Sequence, residues 1–348
     1  MNKIKVCVLF GGVSSEHEVS LVSAASVLRN MNPEKYEIHK IFITREGLWY
    51  YYDGDADGLA ELDNTSGKGL DRAILSPDRG HKAILRFRGD KAEALPVDLA
   101  YPVLHGKNGE DGTVQGLFEL AGIPYVGSGV LGSAVCMDKC LAKVMFAAQN
   151  IPQADWVEIR PGEDKIEEIE EKLGYPCFVK PPNAGSSVGV TKAHNREELQ
   201  NGIALAFRHD TKVLVEEMLY GSEVECSVIG NGHPEAAPVL GEIAPAAEFY
   251  DYDAKYNDAN SELTIPAQLP DDVVQKVREY AVRAYTACEC RGLSRVDFFV
   301  NKDTGDIRLN EINTLPGFTS ISMYPKLWIA SGVSYGELID RLIAYAME

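Results

Sequence analysis

The chain has 348 residues, with 34 Lys and Arg against 52 Asp and Glu, and a formal net charge of -18 at pH 7. Such a field repels a phosphate backbone over most of the surface, which excludes nucleic acid as a partner; a bound nucleotide needs a local cluster of cations and backbone N–H groups. Apolar residues make up 45% of the sequence without a run as long as a bilayer span, so no membrane segment is expected, and the length calls for two or three packed units.

The opening MNKIKVCVLFGG has a basic flank and a short apolar run that ends in Gly-Gly with no small-residue cleavage site. It reads as a first buried strand over 4–10. Further strand-like runs bounded by Gly or Pro fall at 38–43 and 97–104, and helical periodicity fills 18–29 and 113–121, the alternation of a parallel α/β unit. Residues 52–92, rich in Asp, Gly and Lys, predict surface strands and loops. A second unit is expected from Gly127, with a helix from Met137 to Gln149 and strands at 177–181 and 213–217. A third follows Tyr220-Gly221. The fold class is therefore α/β with α+β parts, in units 1–126, 127–216 and 217–348. Seven scattered cysteines, mostly in apolar runs, read as reduced core residues of a cytoplasmic protein; Cys288 and Cys290 lack the other ligands of a zinc site.

The chemistry concentrates in a few segments. Arg295-Val-Asp-Phe-Phe-Val and Ile307-Arg-Leu-Asn-Glu-Ile-Asn flank a turn-rich Asn301-Lys-Asp-Thr-Gly-Asp, which predicts a hairpin. A turn centred near Thr304 sets Asp297 opposite Glu311, and Asn313, two residues on, shares the face. Three hard oxygen donors on neighbouring strands suit magnesium, which takes few protein carboxylates and completes its shell with water and phosphate oxygens. The plainer alternative is two solvated strand-end acids. Lys180 precedes a small flexible loop, Ala184-Gly-Ser-Ser-Val-Gly189, whose N–H groups could wrap phosphate; Lys139 near a helix start adds a second point charge. Here the alternative is a mobile loop tip.

Gly11-Gly-Val-Ser-Ser-Glu16-His-Glu-Val-Ser20 carries the first strand through a tight turn into a helix start, a place for a carboxylate, with Glu16 to take an ammonium group. A capping box would look the same. His105-Gly-Lys-Asn-Gly-Glu-Asp-Gly112 follows the strand at 97–104 and marks a polar crevice at its carboxyl end. Gly127-Ser-Gly-Val-Leu-Gly132 matches a dinucleotide fingerprint, but Pro124 precedes it and no acidic residue stands at the ribose position, so it reads as a helix-entry turn.

These segments, with Tyr250-Asp-Tyr-Asp-Ala-Lys-Tyr256 and Glu311-Ile-Asn-Thr-Leu-Pro-Gly-Phe-Thr-Ser, together resemble the D-alanine-D-alanine ligases of the ATP-grasp superfamily over nearly the whole chain. The resemblance implies an ATP-grasp fold of three domains with ATP held between two sheets, two Mg2+ ions with Mn2+ as a substitute, a homodimer, and a role in peptidoglycan synthesis. It implies that the carboxylate of one D-alanine takes the γ-phosphoryl group and the amine of a second attacks the acyl phosphate. ATP contacts fall on Lys139, Lys180, Ser187, Glu216, Glu217, Leu219, Glu223, Lys255, Phe299 and Asn310, with Glu223 at the ribose. Metal ligands are Asp297, Glu311 and Asn313. Catalytic roles fall on Glu16, Ser186, Tyr256, Arg295 and Gly317, the last two at the oxyanion, with a lid at about 248–260. Val19, His105, Ser322 and Met323 line the substrates. Tyr256 and Met323 stand where lactate- and serine-using relatives carry His and Arg, so D-alanine is the expected second substrate, and D-serine or D-lactate the alternatives. A binding protein that kept the clamshell without the chemistry is the rival from another class, and the metal trio argues against it.

Overall fold

The computed structural model describes residues 3–185, 188–244 and 262–348. Three sheets carry the fold. The N-terminal sheet has seven strands, and its centre is parallel: Ile4–Gly11 lies between Tyr36–Ile43 and Leu99–Leu104. Buried on both faces, the first and last of these strands read as continuous apolar runs, VCVLF and LAYPVL, while Tyr36–Ile43 is apolar mainly at its IFI end. The expected parallel unit is extended on one side only, by antiparallel strands Trp49–Tyr51, Asp71–Leu75, Ala83–Arg88 and Lys91–Pro96; the middle two lie within the 52–92 segment expected to hold surface strands and loops, the first precedes it and the last runs past its end.

The central sheet is antiparallel, in the order Thr191–Ala193, Cys177–Lys180, Val213–Glu217, Trp156–Ile159. Alternation gives it two characters. Cys177, Val179, Val213, Val215, Val157 and Ile159 pack with Ile169 and Leu199 of helices Ile166–Lys172 and Arg196–Ala206. Phe178, Lys180, Leu214 and Glu216 alternate with them and so share the opposite face.

The C-terminal sheet is built round Ser222–Ile229, Leu293–Val300 and Ile307–Asn313, with Gly241–Ala244 and Glu262–Thr264 beyond. Val224, Cys226, Val228, Val296, Phe298, Leu309 and Ile312 form a core with Val277, Ala281 and Tyr285 of helix Asp271–Ala287. Leu309 and Ile312 are three apart, yet both face that core, because the ladder slips by one residue at Asn310.

Helix Val130–Met137 is followed by Lys139–Ala148, which is the helix expected from Met137 to Gln149. Asp138 interrupts them by capping the second: its carboxylate accepts the N–H groups of Cys140 at 3.1 Å and Leu141 at 3.2 Å. Gly127-Ser-Gly129 is indeed the entry turn of the first of these helices. All seven cysteines are buried. A shared core joins the first and third units through Phe10, Val27 and Tyr101 on one side and Phe318, Trp328 and Leu342 on the other. No helix among the described residues is long and apolar enough to cross a membrane.

Candidate active site

The turn after the first strand needs its glycines. Gly11 has φ +90°, and a Cβ there would lie 2.2 Å from the Ile43 carbonyl oxygen. The Gly11 N–H donates to Ser20 Oγ at 2.8 Å, and His17 Nδ1 lies 2.6 Å from the Gly12 carbonyl, so helix His17–Asn30 ties its own entry loop down. That fixes Glu16, 8% exposed, in a narrow gap: a Cβ on Gly106 would come within 3.1 Å of its Oε2, and one on Gly185 within 3.0 Å. The carboxylate thus lies where the Gly-rich turn, the loop after Leu99–Leu104 and the loop after Lys180 meet. Val19 is buried one turn further along the helix.

His105 is buried and reaches across to the third unit, with Nδ1 3.0 Å from the Leu315 carbonyl, and Nε2 3.4 Å from Ser23 Oγ. Glu110 Oε1 lies 3.7 Å from its Nδ1. Burial disfavours the imidazolium, but the hydrogen bond and charge of Glu110, helped by Glu16, outweigh it and raise the His105 pKa above its ordinary value. Burial and Glu16 push the Glu110 carboxyl up in turn, against the pull of His105.

The C-terminal hairpin forms as its turn residues predict, and Asp297 pairs with Glu311 while Arg295 pairs with Asn313. The three oxygen-bearing groups occupy neighbouring positions on one face. Asp297 is wholly buried and is clamped by Arg295, Nε to Oδ1 at 2.8 Å and Nη2 to Oδ2 at 2.7 Å. Arg295 Nε also lies 3.1 Å from Glu225 Oε2 on the adjacent strand. Burial opposes the guanidinium charge, yet Asp297 and Glu225 more than compensate, holding its pKa well above normal. Glu223, Glu225 and Asp297, all buried, bring carboxylate oxygens within 4.8 Å of one another. Buried acids that outnumber their arginine, on strands that also carry Glu311 and an amide oxygen, form a hard donor set that fits a divalent cation. Asn313 Oδ1 accepts the Leu315 N–H at 3.1 Å.

Opposite stand the lysines. Lys139, first residue of its helix, places Nζ 3.4 Å from Glu311 Oε2 and donates to the Ala184 carbonyl at 3.2 Å. Lys180 lies 2.5 Å from one oxygen of Glu216, and Lys143 lies 2.6 Å from the other. Burial would raise the Glu216 pKa, but the two ammonium groups lower it to about 2. Glu217 is turned elsewhere, its Oε1 accepting the Asp155 N–H at 2.8 Å. Leu219, Phe299 and Asn310 are half-buried, Phe299 paired with Glu223 and Asn310 the extra residue of the bulge.

Near Gly317, Ser322 Oγ accepts the Thr319 N–H at 3.0 Å and shares a hydrogen bond with Thr319 Oγ1 at 2.8 Å; a Cβ on Gly317 would lie 2.7 Å from it. Met323, expected beside the substrate, is 4% exposed and packs on Gly241, where a Cβ would meet its sulfur at 2.2 Å. Ser186, Ser187, Lys255, Tyr256 and the rest of the expected lid lie outside the described residues. Three polar contributors escaped sequence reasoning, although each carried a signal. Glu225 repeats Glu223 at strand spacing, Lys143 repeats Lys139 one helical turn on, and Glu110 belongs to the same polar segment as His105.

Two sheets, one presenting Lys180 beside the helix that carries Lys139 and the other an acidic hairpin, make this an ATP-grasp enzyme. Family profiles described as D-ala D-ala ligase N-terminus and D-ala D-ala ligase C-terminus match residues 5–128 and 145–344. The chain belongs to the D-alanine-D-alanine ligase family. A D-alanine-D-alanine ligase of Acetivibrio thermocellus is 50% identical, over 100% of this chain and 96% of that protein. The solved VanG D-Ala:D-Ser ligase of Enterococcus faecalis superposes with a TM-score of 0.90 at 42% identity, covering 99% of this chain and 100% of its own. A D-alanine-D-alanine ligase of Bacillus anthracis solved with ATP gives 0.73 at 30% identity, over 99% and 97%.

Proposed function

We propose that this protein uses ATP to join two D-alanines into D-alanyl-D-alanine for peptidoglycan precursor synthesis, in the cytoplasm and as a homodimer. The observation that carries the chemistry is the facing of Asp297 and Glu311, with Asn313 beside them, towards Lys139. Asp297, Glu311 and Asn313 would hold two Mg2+ ions, for which Mn2+ could substitute. Bound there, magnesium neutralises charge on the phosphate chain. Residues 1–126 would form the substrate domain, 127–216 the central nucleotide-binding domain and 217–348 the catalytic domain.

In this proposal Lys139, Lys180 and Lys255, with the Ser187 segment, take phosphate oxygens, and Glu216, Glu217, Leu219, Glu223, Phe299 and Asn310 line the nucleoside. Glu16 takes the ammonium of the first D-alanine with Ser186 and Tyr256, beside Val19 and His105. A carboxylate oxygen of this first D-alanine bonds to the γ-phosphorus as the bond to ADP breaks. The amine of the second D-alanine, held through its carboxylate by Ser322, then attacks the acyl carbon, and phosphate leaves as the amine gives up a proton. Arg295 and the Gly317 N–H stabilise the oxyanion between these steps, at about 3 kcal/mol per donor. Since Met323 packs on Gly241, it would shape the second subsite from behind rather than by contact. The test is ADP release from ATP and Mg2+ with D-alanine, D-serine or D-lactate as second substrate. D-Alanine should be fastest, and a faster rate with either of the others would overturn the assignment.

A further inference from the structure

A carboxylate with one lysine on each oxygen, out of water, is an unbalanced arrangement. Lys143 is 2% exposed and the Glu216 side chain 5%, so the trio carries one net positive charge where charge is expensive. The two lysines are not equivalent. Lys143 is on the helix Lys139–Ala148, sealed below the surface, whereas Lys180 ends its strand at 19% exposure, beside the loop that begins at Pro181. Lys180 and Glu216 are diagonal neighbours on the polar face of the central sheet, because Lys180 pairs with Leu214 and Glu216 with Phe178.

We infer that Lys143 is a positioning residue for the nucleotide step, holding Glu216 by one oxygen so that Lys180 can leave the other for a phosphate group. This rests on the proposed contact of Lys180 with phosphate. Without Lys143, Glu216 would have Lys180 as its one counter-ion among the described residues, and freeing Lys180 would leave that buried carboxylate without either. With Lys143 in place, the surplus positive charge is stored beside the cleft until an anion arrives. A role that is merely structural would affect stability without distinguishing ligands by their phosphates.

The test compares binding of ADP with Mg2+, and of adenosine, by calorimetry on the full chain, with melting followed in parallel. Lys143→Met should weaken ADP about tenfold or more, as loss of a point-charge contact does, and leave adenosine within about threefold. Lys143→Arg should stay close to the parent. The double variant Lys143→Met/Glu216→Gln, which buries no unpaired charge, should lose the Glu216 nucleoside contact for ADP and adenosine alike but bring the ratio of ADP to adenosine affinity back to the parent's or above, since nothing then retains Lys180. That arm stands even if Lys143→Met fails to fold. Equal losses for ADP and adenosine in Lys143→Met, unchanged ADP binding by Lys143→Met, or a folded double variant that loses ADP affinity relative to adenosine would each overturn the inference. Lys180→Met separates the two claims. If it weakens ADP while Lys143→Met does not, the inference alone fails; if it leaves ADP binding unchanged, the phosphate contact of Lys180 fails, and the inference with it.

Discussion

Asp297 faces Glu311 across the C-terminal hairpin because Asn310 is extra. Nearer the turn, Phe298 pairs with Leu309 and Val300 with Ile307, a register one residue short of what the Asp297–Glu311 pair needs. The bulge supplies that residue, so Leu309 and Ile312 both enter the core while Glu311 stays beside Asp297. A backbone irregularity therefore aims the side chain proposed as a metal ligand.

Glu311→Gln preserves shape and removes one charge from that pair. Turnover should fall about 100-fold or more, because stabilisation of phosphoryl charge is lost in the transition state, whereas ADP affinity should change by less than about threefold. Single-turnover kinetics beside ADP calorimetry measures both. Equal losses would contradict the metal assignment.

Glu225 competes with Asp297 for Arg295. In Glu225→Gln the guanidinium has less reason to leave Asp297, so a divalent ion should find that carboxylate harder to claim. Mn2+ titration by electron paramagnetic resonance, with ADP present, should show affinity about tenfold weaker, equivalent to ~1.4 kcal/mol. Unchanged Mn2+ affinity would mean that Arg295 does not guard the site.

Two glycines in helices should respond oppositely to alanine. At Gly132 a Cβ would stand 2.6 Å from the Glu289 carbonyl oxygen, a backbone atom that cannot swing aside. Gly132→Ala should cost about 1–3 kcal/mol. At Gly116, in helix Thr113–Ala121, a Cβ meets nothing within 4 Å, and Gly116→Ala should stabilise by roughly 0.5–1 kcal/mol through the entropy of the unfolded chain. Urea unfolding midpoints decide both, and a shift of the same sign at the two sites would refute the steric account.

The depressed pKa of Glu216 gives folding a pH dependence of known sign. The carboxyl moves from 4.5 to about 2 on folding, so the unfolded state binds more protons between those values. Its contribution is complete above about 4.5 and is lost as pH falls towards 2, an amount of order 3 kcal/mol. Glu216→Gln should therefore flatten the acid limb of the stability curve. The same acid sensitivity in parent and variant would show that Glu216 is not the group responsible.

Much of this could be read from the residues alone. Apolar runs bounded by Gly or Pro placed the parallel strands of the first unit, the turn-rich Asn301–Asp306 segment gave the hairpin, and the ordered motifs pointed to the ligase family, because local periodicity and turn chemistry are written in neighbouring residues. The extent of helix Val130–Met137 was not anticipated, since only its glycine entry turn was legible, whereas the next helix starts beside the expected Met137, where Asp138 caps it. Nor could spacing along the chain say that Lys143 and Lys180 would share Glu216, that Arg295 would sit between Glu225 and Asp297, or that Met323 would be sealed against Gly241. Those pairings join residues from different strands and helices, and only the packing of the units decides which charges meet away from water, where an unpaired one costs most.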